Sequence, residues 1–168
     1  LFLKIYQLKK VVIAQVQGHA LAGGCGLATV CDFTFAVPEA KFGYTEVKIG
    51  FIPALVSVFL IRKMGEHKAK QLLLTGEVIK ATEALTRGLI HKVVNAENLE
   101  QTVFEFASDL IFNNSGQSMQ LTKQLIAQVQ SMSLEEGLEQ AANMNAHARS
   151  TEDCKAGIAA FLNKKELK

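Results

Sequence analysis

The chain has 168 residues, 49% of them hydrophobic and 20% charged, with a net charge of +2, which suits one or two small packed units with a soluble surface. So small a charge, with no lysine–arginine run interleaved with aromatics, argues against a nucleic-acid partner. The longest apolar run, Phe51 to Ile61, is too short for a bilayer span and argues against a membrane one.

In chain order, LFLKIYQLKK reads as the last turns of an amphipathic helix already under way, as though the chain opens mid-architecture. Val11 to Gln17 is β-branched and bounded by Gly18, which predicts a buried strand of a mostly parallel sheet. Ala22 to Cys31 reads as a short small-residue helix, Asp32 to Val37 as a second strand closed by Pro38, and Ala40 to Tyr44 as a brief third. Pro53 fits the first turn of a helix running to Met64, with Gly65 as its stop. Two further helices end at Gly76 and Gly88, and Leu89 to Val94 follows as a strand. After Asn95 the pattern is helical throughout. Leu99, Val103, Phe106 and Leu110 fall at helical spacing, and Ser133 with Glu136 forms a capping-box pair. Residues 1–95 are therefore read as a strand–helix core and 96–168 as a helical region whose apolar stripes need a partner surface.

Cys25, Cys31 and Cys154 are odd in number and lack CxxC spacing, so reduced, packed thiols in a cytoplasmic setting are expected and a metal site is not. His19, His67, His91 and His147 read as ordinary loop, helix or strand-edge residues. Cys25 near His19 has the makings of a nucleophile and its base, yet no third group orients the imidazole, which favours a packed thiol.

The stretch GHALAGGCGLATVCD, residues 18 to 32, places two adjacent glycines at a helix start. Gly23 and Gly24 would offer unpaired N–H groups and the positive end of the helix dipole to a developing negative charge, as an oxyanion hole does. The same small residues would equally serve close packing of helix on strand. GCGLAT only approximates a dinucleotide fingerprint, because it begins inside the helix, and no phosphate-loop motif is present. Glu46 stands among Phe42, Ile49, Phe51 and Ile52. An acid so placed is suited to exchanging a proton near neutrality, although a turn acid or a partner for Lys48 is the other reading.

Together these segments resemble the enoyl-CoA hydratase/isomerase, or crotonase, family from about Val11 to Lys164. Gly18, Ala20, Ala22, Gly23, Gly24, Cys31 and Asp32 meet its glycine-rich pattern, with Ala22 in place of one glycine. Phe42, Gly43, Glu46, Gly50 and Pro53 meet a second block, LLTGEVIKATEALTRGLIHKVV a third, and Asp153, Gly157 and Phe161 a fourth.

The resemblance implies an α/β fold, a crotonase-like ββα spiral, with a C-terminal helical trimerisation region assembling as a homotrimer or hexamer. It implies that the family's N-terminal strands, and the loop giving a second oxyanion N–H, precede Leu1, so that this stretch alone would lack half the hole. The implied substrate is an acyl-CoA or acyl-carrier-protein thioester, with no cofactor beyond the coenzyme A carried by the substrate. Gly23 corresponds to an oxyanion donor and Glu46 to a catalytic glutamate. Ala20, Ala22, Gly24 and Pro53 correspond to substrate-binding positions, and Phe161 and Lys164 to contacts of the CoA moiety.

The family's second glutamate falls on Gly26, and Ala54, Leu55, Val56 and Ser57 replace a glycine-rich stretch. A single acid leaves a hydratase, a double-bond isomerase, a 3-methylglutaconyl-CoA hydratase or a polyketide β-branching dehydratase as family readings. A non-catalytic assembly piece is the reading from another class.

Overall fold

A computed structural model describes residues 1–163, and the chain folds as two compact units. The first comprises Leu1–Tyr6 and Val12–Phe104, and the second Gln7–Val11 and the chain from Glu105 onward.

In the first unit, helix α1 (Phe2–Tyr6) precedes strand β1 (Ile13–Val16), whose β-branched residues suit a pleated, half-buried surface. Only Gln17, Gly18 and His19 separate β1 from β2 (Ala20–Leu21). Three residues cannot make the long crossover that a parallel neighbour in the same sheet requires. The chain therefore passes to a second sheet. Helix α2 (Gly23–Val30) follows, then β3 (Phe33–Ala36) and β4 (Lys41–Gly43) repeat the step. β3 pairs in parallel with β1, Ile13 opposite Phe33 through Val16 opposite Ala36, and β4 pairs in parallel with β2, Ala20 opposite Phe42. Each strand–strand–helix turn thus adds one strand to each sheet.

A 3₁₀ turn (Glu46–Ile49) leads from β4 towards α3 (Ala54–Met64), which is followed by α4 (Glu66–Thr75), β5 (Val78–Lys80), α5 (Ala81–Arg87) and β6 (Lys92–Val93). β6 completes the first sheet in the order β1-β3-β6, and β5 completes the second, antiparallel to β4, in the order β2-β4-β5. The expected mostly parallel sheet is thus two three-stranded sheets, one wholly parallel and one mixed. The strand expected from Leu89 contracts to Lys92–Val93, because the N–H groups of Leu89 and Ile90 turn back to the Ala84 carbonyl beyond Gly88. Gly76 and Gly88 end α4 and α5 at φ 62° and 81°, left-handed positions where glycine avoids the Cβ penalty. Pro53 stands one residue ahead of α3, as its N-cap. The core gathers Phe35, Phe42, Tyr44, Leu60, Leu72 and Leu89, all essentially inaccessible to solvent.

Helix α6 (Ala96–Asn113) starts in the first unit, where Leu99 is buried. The second unit carries α7 (Gly116–Val129), α8 (Leu134–Ser150) and α9 (Glu152–Leu162). Polar caps start each of these three: Ser115 accepts from the Ser118 N–H, Thr151 from the Cys154 N–H, and Ser133 and Glu136 form a reciprocal capping box. Lys123 donates to the Lys10 carbonyl at 2.9 Å, and Ser115 to Asp153 at 2.6 Å. None of these three helices fully buries a residue, and Phe112, Leu134, Leu138 and Phe161 remain exposed.

Candidate active site

Parallel strands β2 and β4 bring their C-terminal ends together, the usual location of a ligand crevice in α/β architectures. At the end of β2, the Ala22 N–H donates to the Gly43 carbonyl of β4 at 2.8 Å, which ties the two exits. Ala22 then turns with φ 48° and ψ −124°, the positive-φ non-glycine residue among those described. An L residue there carries strain on the order of 1 kcal/mol or more. The glycine that the family pattern places at this position would avoid that cost, and the strained corner launches α2 directly from the strand.

No side chain caps α2, and the first-turn N–H groups of a helix have no acceptor within it. Gly23 and Gly24 occupy that turn, are exposed, and have open space where a Cβ would stand. The arrangement offers main-chain donors and a positive dipole end to an approaching oxygen.

Glu46 opens the 3₁₀ turn three residues beyond β4 and is half-buried. Its Oε2 is shielded from solvent and has no hydrogen-bond partner. A carboxylate oxygen held so is a costly feature unless something else engages it. Burial raises the pKa of both Cys25 and Tyr44, and the charge of Glu46 adds to each rise, so the acid acts electrostatically on the first turn of α2 and the exit of β4.

Beneath these groups lies a buried polar cluster. The Tyr44 hydroxyl and Thr29 Oγ1 are 2.5 Å apart, and the Cys25 thiol interacts with Tyr44, Thr29 and the Gly43 backbone. Burial pushes the Cys25 thiol up to about 11 against those hydrogen bonds, with Glu46 adding to the rise. Cys25 is thus a protonated, packed thiol, as expected, and not a nucleophile. Burial likewise drives Tyr44 upward.

The other end of α2 is closed by a residue that the sequence did not single out. Lys63, in the last turn of α3, donates to the carbonyls of Thr29 at 3.0 Å and Cys31 at 3.1 Å. Desolvation lowers its pKa, while Cys31, Asp32 and Cys25 oppose the fall. A cation at the negative end of the helix is favourable and satisfies terminal carbonyls. A lysine at a helix end is a common surface pattern, so only packing reveals its use.

Of the other expected contacts, Ala20 is buried in β2 and Pro53 is half-buried ahead of α3. Phe161 lies on α9 in the second unit, 80% exposed, and Lys164 falls outside the described residues. His19 is exposed in the β1–β2 turn, while His91 packs against Phe33 and Phe35 with ring centroids 5.1 and 5.2 Å away. Among the described residues no cluster of three or more His, Cys, Asp or Glu is placed to hold a metal, and no helix is long and apolar enough to cross a membrane.

The sequence model of the enoyl-CoA hydratase/isomerase family matches residues 1–168. A Thermus thermophilus relative, carried under the provisional name enoyl-CoA hydratase, is 44% identical over 165 residues, covering 98% of this chain and 65% of its own length. A short-chain-enoyl-CoA hydratase of Clostridioides difficile is 40% identical over 91% of this chain and 98% of its own. The solved structure of an enoyl-CoA hydratase from Mycobacterium smegmatis superposes with a TM-score of 0.92 at 28% identity, over 99% of this chain and 65% of that one. The chain thus spans about two thirds of the Thermus relative and of the solved structure.

Proposed function

Because the chain belongs to the enoyl-CoA hydratase/isomerase family, we propose that it is a hydro-lyase, adding water to, or removing it from, an α,β-unsaturated acyl thioester. The observation that carries this reading is the shielded, unpartnered Oε2 of Glu46, an acid three residues beyond β4, the strand whose Gly43 carbonyl is tied to Ala22 at the uncapped start of α2. A thioester carbonyl set against the Gly23 N–H would draw electron density from the double bond onto its oxygen. Main-chain donors aimed at such a charge contribute on the order of a few kcal/mol to a transition state.

In the hydration direction, Glu46 takes a proton from water as the water oxygen bonds to the β carbon. The resulting enolate, held at Gly23, then receives that proton from Glu46 at the α carbon as the carbonyl re-forms. One carboxylate suffices, because it ends each cycle in the state in which it began. Ala20, Ala22 and Gly24 shape the thioester seat and Pro53 orients the segment after Glu46. The coenzyme enters and leaves with the acyl group, so no resident cofactor is required. The exposed apolar faces of α7–α9 are in keeping with assembly into a trimer or hexamer, and cysteines that form no disulfide with a cytoplasmic setting.

The lone acid also favours one second reading, an isomerase in which Glu46 carries a proton between the α and γ carbons. One optical assay separates the two. With the protein at its full natural length, hydration of crotonyl-CoA or 3-methylglutaconyl-CoA removes the conjugated-thioester absorbance, whereas isomerisation of a 3-enoyl-CoA creates it. Glu46→Gln is expected to abolish turnover while thioester binding persists. Retained turnover in that variant refutes the role given to Glu46, and absence of either absorbance change in the wild type leaves the assembly-piece reading.

A further inference from the structure

Two glycine environments on α2 differ sharply. Gly23 and Gly24 face open space, but a methyl group placed on Gly26 would lie 2.2 Å from Val56 Cγ1, and 3.2 Å from both Val56 Cβ and Phe2 Cε1. Non-bonded carbons settle at about 3.5–4.0 Å, so 2.2 Å cannot be relieved by a slight adjustment. Nor can Val56 easily turn away. It is 6% exposed, it shares the buried face of α3 with Leu60, and a β-branched side chain in a helix has essentially one χ1 position. Phe2 is fixed in turn by stacking on Phe59, with ring centroids 6.2 Å apart.

Gly23 and Gly26 are three residues apart and therefore share a face of α2. We propose that Val56 determines how many acids this site can present: it occupies the volume any side chain at position 26 would need. The α2 face running on from Gly23 is then closed by hydrocarbon, and Glu46 alone is left to move protons. The glycine at position 26 and the branched side chain at position 56 are on this view one packing unit, the first leaving the space that the second fills. The inference rests on the thioester-site reading for its chemistry and on packing alone for its geometry.

The test has one arm for each. Thermal unfolding of Gly26→Ala, Val56→Ala and the double variant forms a cycle that needs no substrate. Overpacking at Gly26 is expected to lower Tm by roughly 3–10 °C in the wild-type background. With Val56 trimmed, the same change should be neutral or raise Tm. A Gly26→Ala protein as stable as wild type overturns the proposal.

In the second arm, Gly26→Glu is combined with Val56→Gly. The pH dependence of kcat for crotonyl-CoA hydration should gain a second ionisation that Val56→Gly alone does not show. A folded double variant with an unchanged profile refutes the claim that position 26 addresses the substrate. Inactive wild-type protein with an intact stability cycle would instead refute the hydro-lyase reading and leave the packing relation standing.

Discussion

Replacing Tyr44 by Phe deletes one oxygen from the cluster that underlies both the start of α2 and the exit of β4. Tyr44 is 0% and Thr29 4% exposed, and their hydroxyls are 2.5 Å apart. The variant keeps the ring packing and leaves the Thr29 hydroxyl without this partner. With only the weakly bonding Cys25 thiol left beside the Thr29 hydroxyl, the loss costs about 1–3 kcal/mol, and for a chain of this length each kcal/mol moves Tm by roughly 2–4 °C, so a fall of roughly 2–12 °C is expected. Thr29→Val leaves the tyrosine hydroxyl with the Cys25 thiol alone and should cost a similar amount. In the double variant both polar partners are gone and the shape is conserved, so its loss should be clearly smaller than the sum, with a coupling of about 1 kcal/mol or more. Urea unfolding followed by far-UV circular dichroism measures all four proteins. Turnover on the same samples adds a functional readout: Tyr44 lies two residues before Glu46, so kcat should fall more than KM changes. A Tyr44→Phe protein within about 0.3 kcal/mol of wild type, or strictly additive variants, would refute the reasoning.

Two other consequences concern the thiol and the helical unit. Since Cys25 is raised from 9.0 to about 11 in the folded chain, the unfolded chain loses this proton first as pH rises. The associated stability is complete below pH 9 and is lost as pH climbs through about 11, at up to about 1.4 kcal/mol per pH unit between them. Cys25→Ala should flatten that alkaline decline in unfolding free energy, and native Cys25 should resist iodoacetamide at about pH 8 until denaturant is added, as read by peptide mass spectrometry. Ser133→Ala breaks the reciprocal cap of α8 and should cost the helix about 1 kcal/mol. Faster amide exchange confined to the first turn of α8 checks it, and unchanged exchange there counts against the cap.

The local pieces are legible in the chain itself, because the forces that set them act within a few residues. The glycines at 65, 76 and 88 mark helix ends, since left-handed or otherwise unusual backbone falls there. Ser133 and Glu136 announce a helix start by satisfying each other, and the β-branched run from Val11 announces a strand. The candidate groups Gly23 and Glu46 are legible too, as a glycine at a helix start and an acid among apolar residues. That they belong to one site is what the resemblance implies and what the proposed function rests on.

Short elements escape such reading. Strands of two and three residues, β2 and β5, carry no periodicity, and their strand character comes from pairing with β4. Leu89 and Ile90 have the composition of strand residues, but the Ala84 carbonyl claims their N–H groups. What the site residues touch emerges only from packing. Sequence spacing cannot say that Lys63, 32 residues beyond Cys31, closes the far end of α2, that Glu46 has a shielded oxygen with no partner, or that Val56 fills the space over Gly26. Contacts between residues distant along the chain depend on how whole helices and sheets stack, and burial, which sets the worth of every polar group here, exists only once they have.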